Sequence, residues 1–416
     1  MKKSLSLILS LILLLSLVSL PALAEEEIKL QVWYAVSGTS GETFTELANR
    51  WDAANDGVSL ELSYSGNSGD TATKVSAALL SGTEPDVALM YAGPLYTGAR
   101  GDLRMDEWYQ AGDFDAEDVY EGMWEYCKFA GKVGAVPFGI STQVLYYNKD
   151  IMEAAGIDMS TPPATWEELY EVAKQAVEKG NINNVPDFAG FEVSDPVWLI
   201  KSMFMQNGNP VVEVHDGEVV PVFNNEKAVE VANFWKKMVD DKLMPAGEHN
   251  NAEKKFLAGN SAFIAASSNR ISRWTTTEFG LGAIEMPTFG EKSVALGGNV
   301  LVVLTQDERR AAAAKELVAY LASAENQAEF ALKTGYLPTH KSALEMDSIK
   351  EAISQNPMYN VAFSQLAYAW AYTHFDEMGT MDMLLWTAVN QIEKGAKTPQ
   401  AALDYAVEEL IMEMED

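Results

Sequence analysis

Apolar positions alternate at Ile28, Leu30, Val32 and Tyr34 in "EIKLQVWYAV", the period of a strand with one buried face. In "GETFTELANRWDAAND" they move to a helical spacing, with Phe44, Leu47, Ala48 and Trp51 on one side. Alternation returns at Val58, Leu60, Leu62 and Tyr64, a second helix follows in "TATKVSAALLSGT", and "PDVALMYAG" is a short unbroken apolar run. Such a run suits a strand buried on both faces. Strand, helix, strand, helix, strand predicts βαβ units and a parallel sheet.

The pattern restarts at "PFGISTQVLYYNKDIMEAAGI", where a strand gives way at Asn148-Lys149-Asp150 to a helix. Tyr146 and Tyr147 are adjacent, so they point to opposite faces and both read as core. Thr165 and Glu168 have capping-box spacing, and their helix runs to Gly180. Val231, Trp235 and Met238 mark another helix; "SAFIAASS", "GLGAIEMPT" and "GGNVLVVLTQ" read as strands. The Ala-rich "ERRAAAAKELVAYLAS" and a last helix opened by Thr398-Pro399 complete the series. No polar linker separates these pieces, so two α/β lobes must exchange the chain more than once.

Residues 1–24 read differently. Lys2 and Lys3 precede an apolar stretch, and Pro21-Ala22-Leu23-Ala24 offers an A-x-A cleavage site, the anatomy of a signal peptide. No cysteine stands at the cleavage point, so acylation there is not expected and the product is exported, periplasmic or extracellular. The whole chain carries 60 acidic and 30 basic residues, a net charge of −30. That balance opposes binding to nucleic acid or anionic lipid, which needs clustered cations. Cys127 is the single cysteine, so stability rests on core burial without an internal disulfide.

Catalytic signatures are missing. His215, His249, His340 and His374 are far apart, and no metal-binding, nucleophile-elbow or phosphate-loop motif occurs. What the chain offers is aromatic and small polar residues at predicted strand ends, where open parallel sheets bind ligands. These are Trp33, Tyr34 and Ser37; Tyr64 to Asn67; Tyr91; Ser141 and Thr142; Ser267 and Ser268; and Gly297, Gly298 and Asn299. Ring faces stack on sugar C–H faces while hydroxyls and amides pair with sugar hydroxyls.

Four stretches carry a resemblance: "VPFGISTQVLYYNKDIMEAAGID" with "PPATWEEL", "KKFLAGNSAFIAASS", "LGGNVLVVL" with "KTGYLP", and "KTPQAALDYAVEEL". In that order they resemble the extracytoplasmic solute-binding proteins of ABC importers, in the branch for sugars and glycerol-3-phosphate. The resemblance implies an α/β, two-lobed periplasmic-binding fold of type II with three hinge crossings. Lobe one would hold residues 25–142 and 299–344, and lobe two 143–298 and 345–416. It implies a monomer without cofactor or catalysis that hands its solute to membrane permease subunits.

By the same resemblance Tyr336 reaches the ligand, the Gly298 backbone meets it, and Ser141 and Ser268 lie near. At least one of Trp33, Tyr34, Tyr64 or Trp274 is expected to line the cleft. Where glycerol-3-phosphate binders place an arginine this chain has His374 beside Asp376 and Glu377, and Ala92 replaces a glutamate. Acids beside a phosphate repel it, so a mono- or oligosaccharide is the expected ligand, with a polyol phosphate as its rival. A secreted glycan-degrading enzyme is the alternative from another class.

Overall fold

The computed structural model describes residues 27–92, 104–129, 131–274 and 276–415. The signal-peptide segment lies outside the described residues. Two sheets hold the molecule together. The first uses β1 (Ile28–Tyr34), β2 (Val58–Tyr64), β3 (Val87–Tyr91) and β4 (Val136–Ser141). The second uses β5 (Gln143–Asn148), β6 (Ala189–Val193), β7 (Ser261–Ser267) and β8 (Leu281–Ile284), after which β9 (Gly297–Val303) returns to the first. Sheet one runs β2-β1-β3-β9-β4 and sheet two β8-β5-β7-β6.

The predicted parallel series holds for β1, β2 and β3, but β9 enters antiparallel to both β3 and β4. Its direction follows from its origin. It arrives from the other lobe at the cleft edge and does not loop back under its own sheet. The first residues of β9 therefore share an edge with the last residues of β3 and β4: Asn299 pairs Tyr91, and Gly297 pairs Ser141.

Only Thr142 separates β4 from β5. It is fully buried, its carbonyl accepts from Ser268 N–H at 2.8 Å, and its hydroxyl accepts from Gln365 at 3.1 Å. Gln365, also fully buried, donates to the Gln143 carbonyl and accepts from Met286 N–H. One amide thus satisfies three groups of different strands and loops at the crossing.

Sheet two explains the paired tyrosines. Tyr146 is fully buried and its hydroxyl donates to the carbonyls of Ser267 and Ser268 at 3.0 and 3.2 Å. Tyr147, on the other face, lies over Gly282, where any Cβ would fall 2.2 Å from its ring. Asn148 ends the strand by capping the helix Lys149–Ala155, accepting from the amides of Asp150 and Ile151. The Thr165–Glu168 capping box forms as its spacing predicts.

Two apolar cores follow. One fills lobe one and continues through Tyr359 and Phe363 to the Tyr146 face of sheet two. The other lies on the Leu145 face, under the helices Trp166–Lys179, Pro196–Gln206, Glu226–Asp240, Met378–Glu393 and Pro399–Glu415. Cys127 is buried in the first core.

A cleft at the strand ends of both sheets

A cavity of about 450 Å³ lies where the two sheets end. Lobe one lines it with Tyr91, Ser141, Gly298, Asn299 and Tyr336, and with Ser68 and Gly69 at the start of the helix Ser68–Ser81. Asp195, Val197, Trp198 and Lys201 face them from the start of the helix Pro196–Gln206, joined by Tyr372 and Asp382. Two helix N-termini and three strand ends therefore converge on one space, the arrangement in which polar ligands are held.

Each lining group has a local cause. Asp195 caps its helix by accepting from Trp198 N–H at 3.0 Å, and Pro196 occupies the first turn, where a missing N–H costs nothing. Trp198 is fixed by its indole N–H, which donates to the Ala295 carbonyl at 3.1 Å. The Lys201 ammonium donates to Asp382 at 2.6 Å and lies 3.9 Å from the centre of the Tyr372 ring. Asn299 accepts from the Ser68 hydroxyl at 2.7 Å. Tyr336 follows the left-handed Gly335 that ends the helix Ala324–Thr334, and its ring stacks on Phe330 at 5.6 Å.

Asp195 is exposed at the cleft yet flanked by protein, and this desolvation raises its pKa; the Trp198 amide and Lys201 pull the other way. The Tyr372 hydroxyl is buried with no hydrogen-bond partner among the described residues, and burial together with the nearby Asp382 charge pushes its pKa well up. Among the described residues no cluster of His, Cys, Asp or Glu could hold a metal ion.

Of the twelve residues expected from sequence, five meet here: Tyr91, Ser141, Gly298, Asn299 and Tyr336. Gly298 is glycine for a reason other than ligand approach. Its φ is +112°, and a Cβ would lie 2.2 Å from the Gly139 carbonyl oxygen across a register shift in the β9–β4 pairing. Asn67 caps the helix Ser68–Ser81 in a capping box with Asp70. Trp33 is half-buried against the core of lobe one. Tyr34 packs between Phe44 and Tyr64, and Tyr64 is 52% exposed. Ser268 is fully buried beside the crossing.

Two more of the expected residues lie away from this cavity. Trp274 is core, 4.9 Å from the Tyr146 ring and 5.5 Å from Phe256. His374 packs edge-on to Tyr126 and is pushed down to about 4 by burial, so it is neutral at pH 7 and supplies no cation. It lines a second crevice of about 860 Å³ on the other side of Tyr372, walled by the helix Glu121–Tyr126 and the hairpin 212–221. That crevice is larger, but neither sheet ends in it, and its walls carry Glu121, Glu125, Asp376 and Glu377.

Sequence reasoning missed Asp195, Trp198, Lys201, Tyr372 and Asp382. The signal for three of them was present in "SDPVWLIK": Asp-Pro announces a helix start, and Trp198 and Lys201 are three apart on one face. Asp382 lies inside the helix Met378–Glu393, with no mark of its own in the sequence.

Comparison with known proteins agrees with this layout. The sn-glycerol-3-phosphate-binding periplasmic protein UgpB of Escherichia coli O1:K1 is 26% identical across 94% of this chain and 93% of its own length. The structure of UgpB from Mycobacterium tuberculosis in complex with glycerophosphocholine superposes with a TM-score of 0.80 at 21% identity, covering 93% of this chain and 98% of that one. The cyclic alpha-maltosyl-1,6-maltose binding protein from Arthrobacter globiformis gives 0.78 at 21% identity, covering 92% and 98%. A family profile described as bacterial extracellular solute-binding protein matches residues 46–357. With its two α/β lobes and the cleft between them, the chain belongs to the bacterial extracellular solute-binding protein family.

Proposed function

We propose that the protein captures a carbohydrate outside the cytoplasm and delivers it, as a monomer, to the membrane permease of an ABC importer. The observation that carries this reading is the lining of the 450 Å³ cavity. Tyr91, Tyr336, Tyr372 and Trp198 come from both lobes and surround a set of hydrogen-bonding groups, Ser141, Asn299, Asp195, Lys201 and Asp382. Rings stack on the apolar faces of a sugar, while carboxylates and amides accept from its hydroxyls. The volume falls in the range of small-molecule sites, about 300–1,000 Å³.

Closure would turn on the crossings at Thr142, near Leu296 and near residue 345. A ligand touching both walls then favours the closed state by its differential affinity.

A second reading, a polyol phosphate, is favoured by the relatives' names and by the amides at Ser68 and Gly69 that open a helix toward the cavity. A thermal-shift panel of mono- and oligosaccharides against glycerol-3-phosphate separates the two. Stabilisation by sugars is expected, and stabilisation by glycerol-3-phosphate alone would overturn the carbohydrate reading. Release of product from labelled oligosaccharides by the clean protein would instead favour the glycan-degrading alternative.

A further inference from the structure

We propose that Asp382 and Asp195 set the charge selectivity of the cleft against anionic solutes, with Asp382 acting by neutralising Lys201, a cation in the cavity wall. The inference rests on the assignment of this cleft as the solute site. Among the described residues, Lys201 is the single basic one lining it. Its side chain is only 3% exposed, and its ammonium is held at 2.6 Å by Asp382, which is itself 31% exposed toward the cavity. A buried ammonium kept this way is charged but already matched.

The Tyr372 ring covers another side of the same ammonium at 3.9 Å, which leaves little of it for a ligand. Asp195, capped by the Trp198 amide, adds a second carboxylate, so among the described residues the wall presents two carboxylates against one ammonium. An anion entering would meet net repulsion, which salt screens in part because Asp195 and Asp382 are open to solvent. The helix N-terminal amides at Ser68 and Gly69 lie on the opposite wall, away from the ion pair's helix. A neutral solute meets no such cost. Its hydroxyls can donate to Asp195 and to the free lone pairs of Asp382, and can pair with the unpartnered Tyr372 hydroxyl.

The test uses the mature protein and two probes, maltose and sn-glycerol-3-phosphate, measured by calorimetry at low and high sodium chloride. Asp382→Asn keeps an acceptor for Lys201 while removing the charge. It is expected to gain at least tenfold in affinity for glycerol-3-phosphate, with the gain reduced by salt. Its affinity for maltose, whose hydroxyls lose a charged acceptor, is expected to fall, so the ratio of the two affinities shifts toward the phosphate. Asp195→Asn leaves the ion pair intact and is expected to gain in the same direction, and it serves if Asp382→Asn does not fold. Lys201→Gln should lose any residual phosphate binding. An unchanged affinity for glycerol-3-phosphate in both carboxylate variants overturns the proposal, as does wild-type protein that already binds it as tightly as they do. Failure of maltose and other neutral sugars to bind any variant would count against the carbohydrate reading alone, since the phosphate ratio between variants is read independently.

Discussion

The indole ring of Trp198, in lobe two, lies against the backbone of Gly297 at the start of β9, so that a Cβ on Gly297 would sit 2.8 Å from Trp198 Cζ2. The two lobes touch here through a ring and a missing side chain. Gly297→Ala should displace the ring from the cleft wall and weaken solute binding about tenfold, with a modest loss of stability. Gly298→Ala, one residue on, should behave in the opposite proportion. The positive φ and the 2.2 Å approach to Gly139 oxygen put its cost on the sheet, with more than about 3 kcal/mol lost in urea unfolding. Equal effects of the two on stability would contradict the separation of roles.

Tyr336 is buried at the cavity wall and backed by Phe330. A stacking ring contributes roughly 1 kcal/mol beyond its area, so Tyr336→Ala should weaken binding about tenfold. Tyr336→Phe keeps the stack and isolates the hydroxyl. Calorimetry showing unchanged affinity for the alanine variant, with the fold intact by circular dichroism, would remove Tyr336 from the site.

Gln365 should be expensive to replace. Gln365→Leu leaves the Thr142 hydroxyl, the Gln143 carbonyl and the Met286 amide without their partner inside the protein. At about 1–3 kcal/mol for each of these three buried groups, a loss of at least about 3 kcal/mol in unfolding free energy is expected.

Lobe two carries a pH dependence of definite sign. Glu192 is 1% exposed, and burial raises it from 4.5 to about 7, against the pull of Lys255 at 3.9 Å. The unfolded chain therefore ionises first as pH rises, and stability falls between about 4.5 and 7, by about 3 kcal/mol from this group. His249 adds to the trend: burial would depress it, but its bond to Glu393 at 2.9 Å leaves it raised. Its contribution is present below its unfolded value and is lost as pH rises through the folded one. Urea midpoints should be higher at pH 5 than at pH 8, and Glu192→Gln should flatten that slope. A slope unchanged by the variant would place the dependence elsewhere.

Periodicity exposed most of the elements, because burial on one face is written into spacing; the helix Thr39–Asp52 and strand β1 are cases. It could not give the direction of β9, whose apolar run is the same read either way and whose orientation is decided by where the chain re-enters. Site residues at strand ends such as Tyr91 and Asn299 were accessible for the same reason as the strands. The sequence could not place Trp274 and His374, since an aromatic or a histidine after a strand serves the core as readily as a ligand, and only the packing on Tyr146 and Tyr126 locates them. The ion pair of Lys201 and Asp382 joins helices far apart in sequence, so no local pattern marks it.

The position of β9 also fixes an order of events during synthesis. Sheet two has all four strands once residue 284 exists, whereas β3 and β4 have no common partner until Gly297–Val303 is made. The lobe whose strands are translated first is thus the one whose sheet is completed last. Pairings between such distant segments are slow to form, since loop closure must precede any gain from contact. A nascent chain ending before residue 297 lacks the strand that joins β3 to β4, so completion of that sheet is expected to wait for the latest strand.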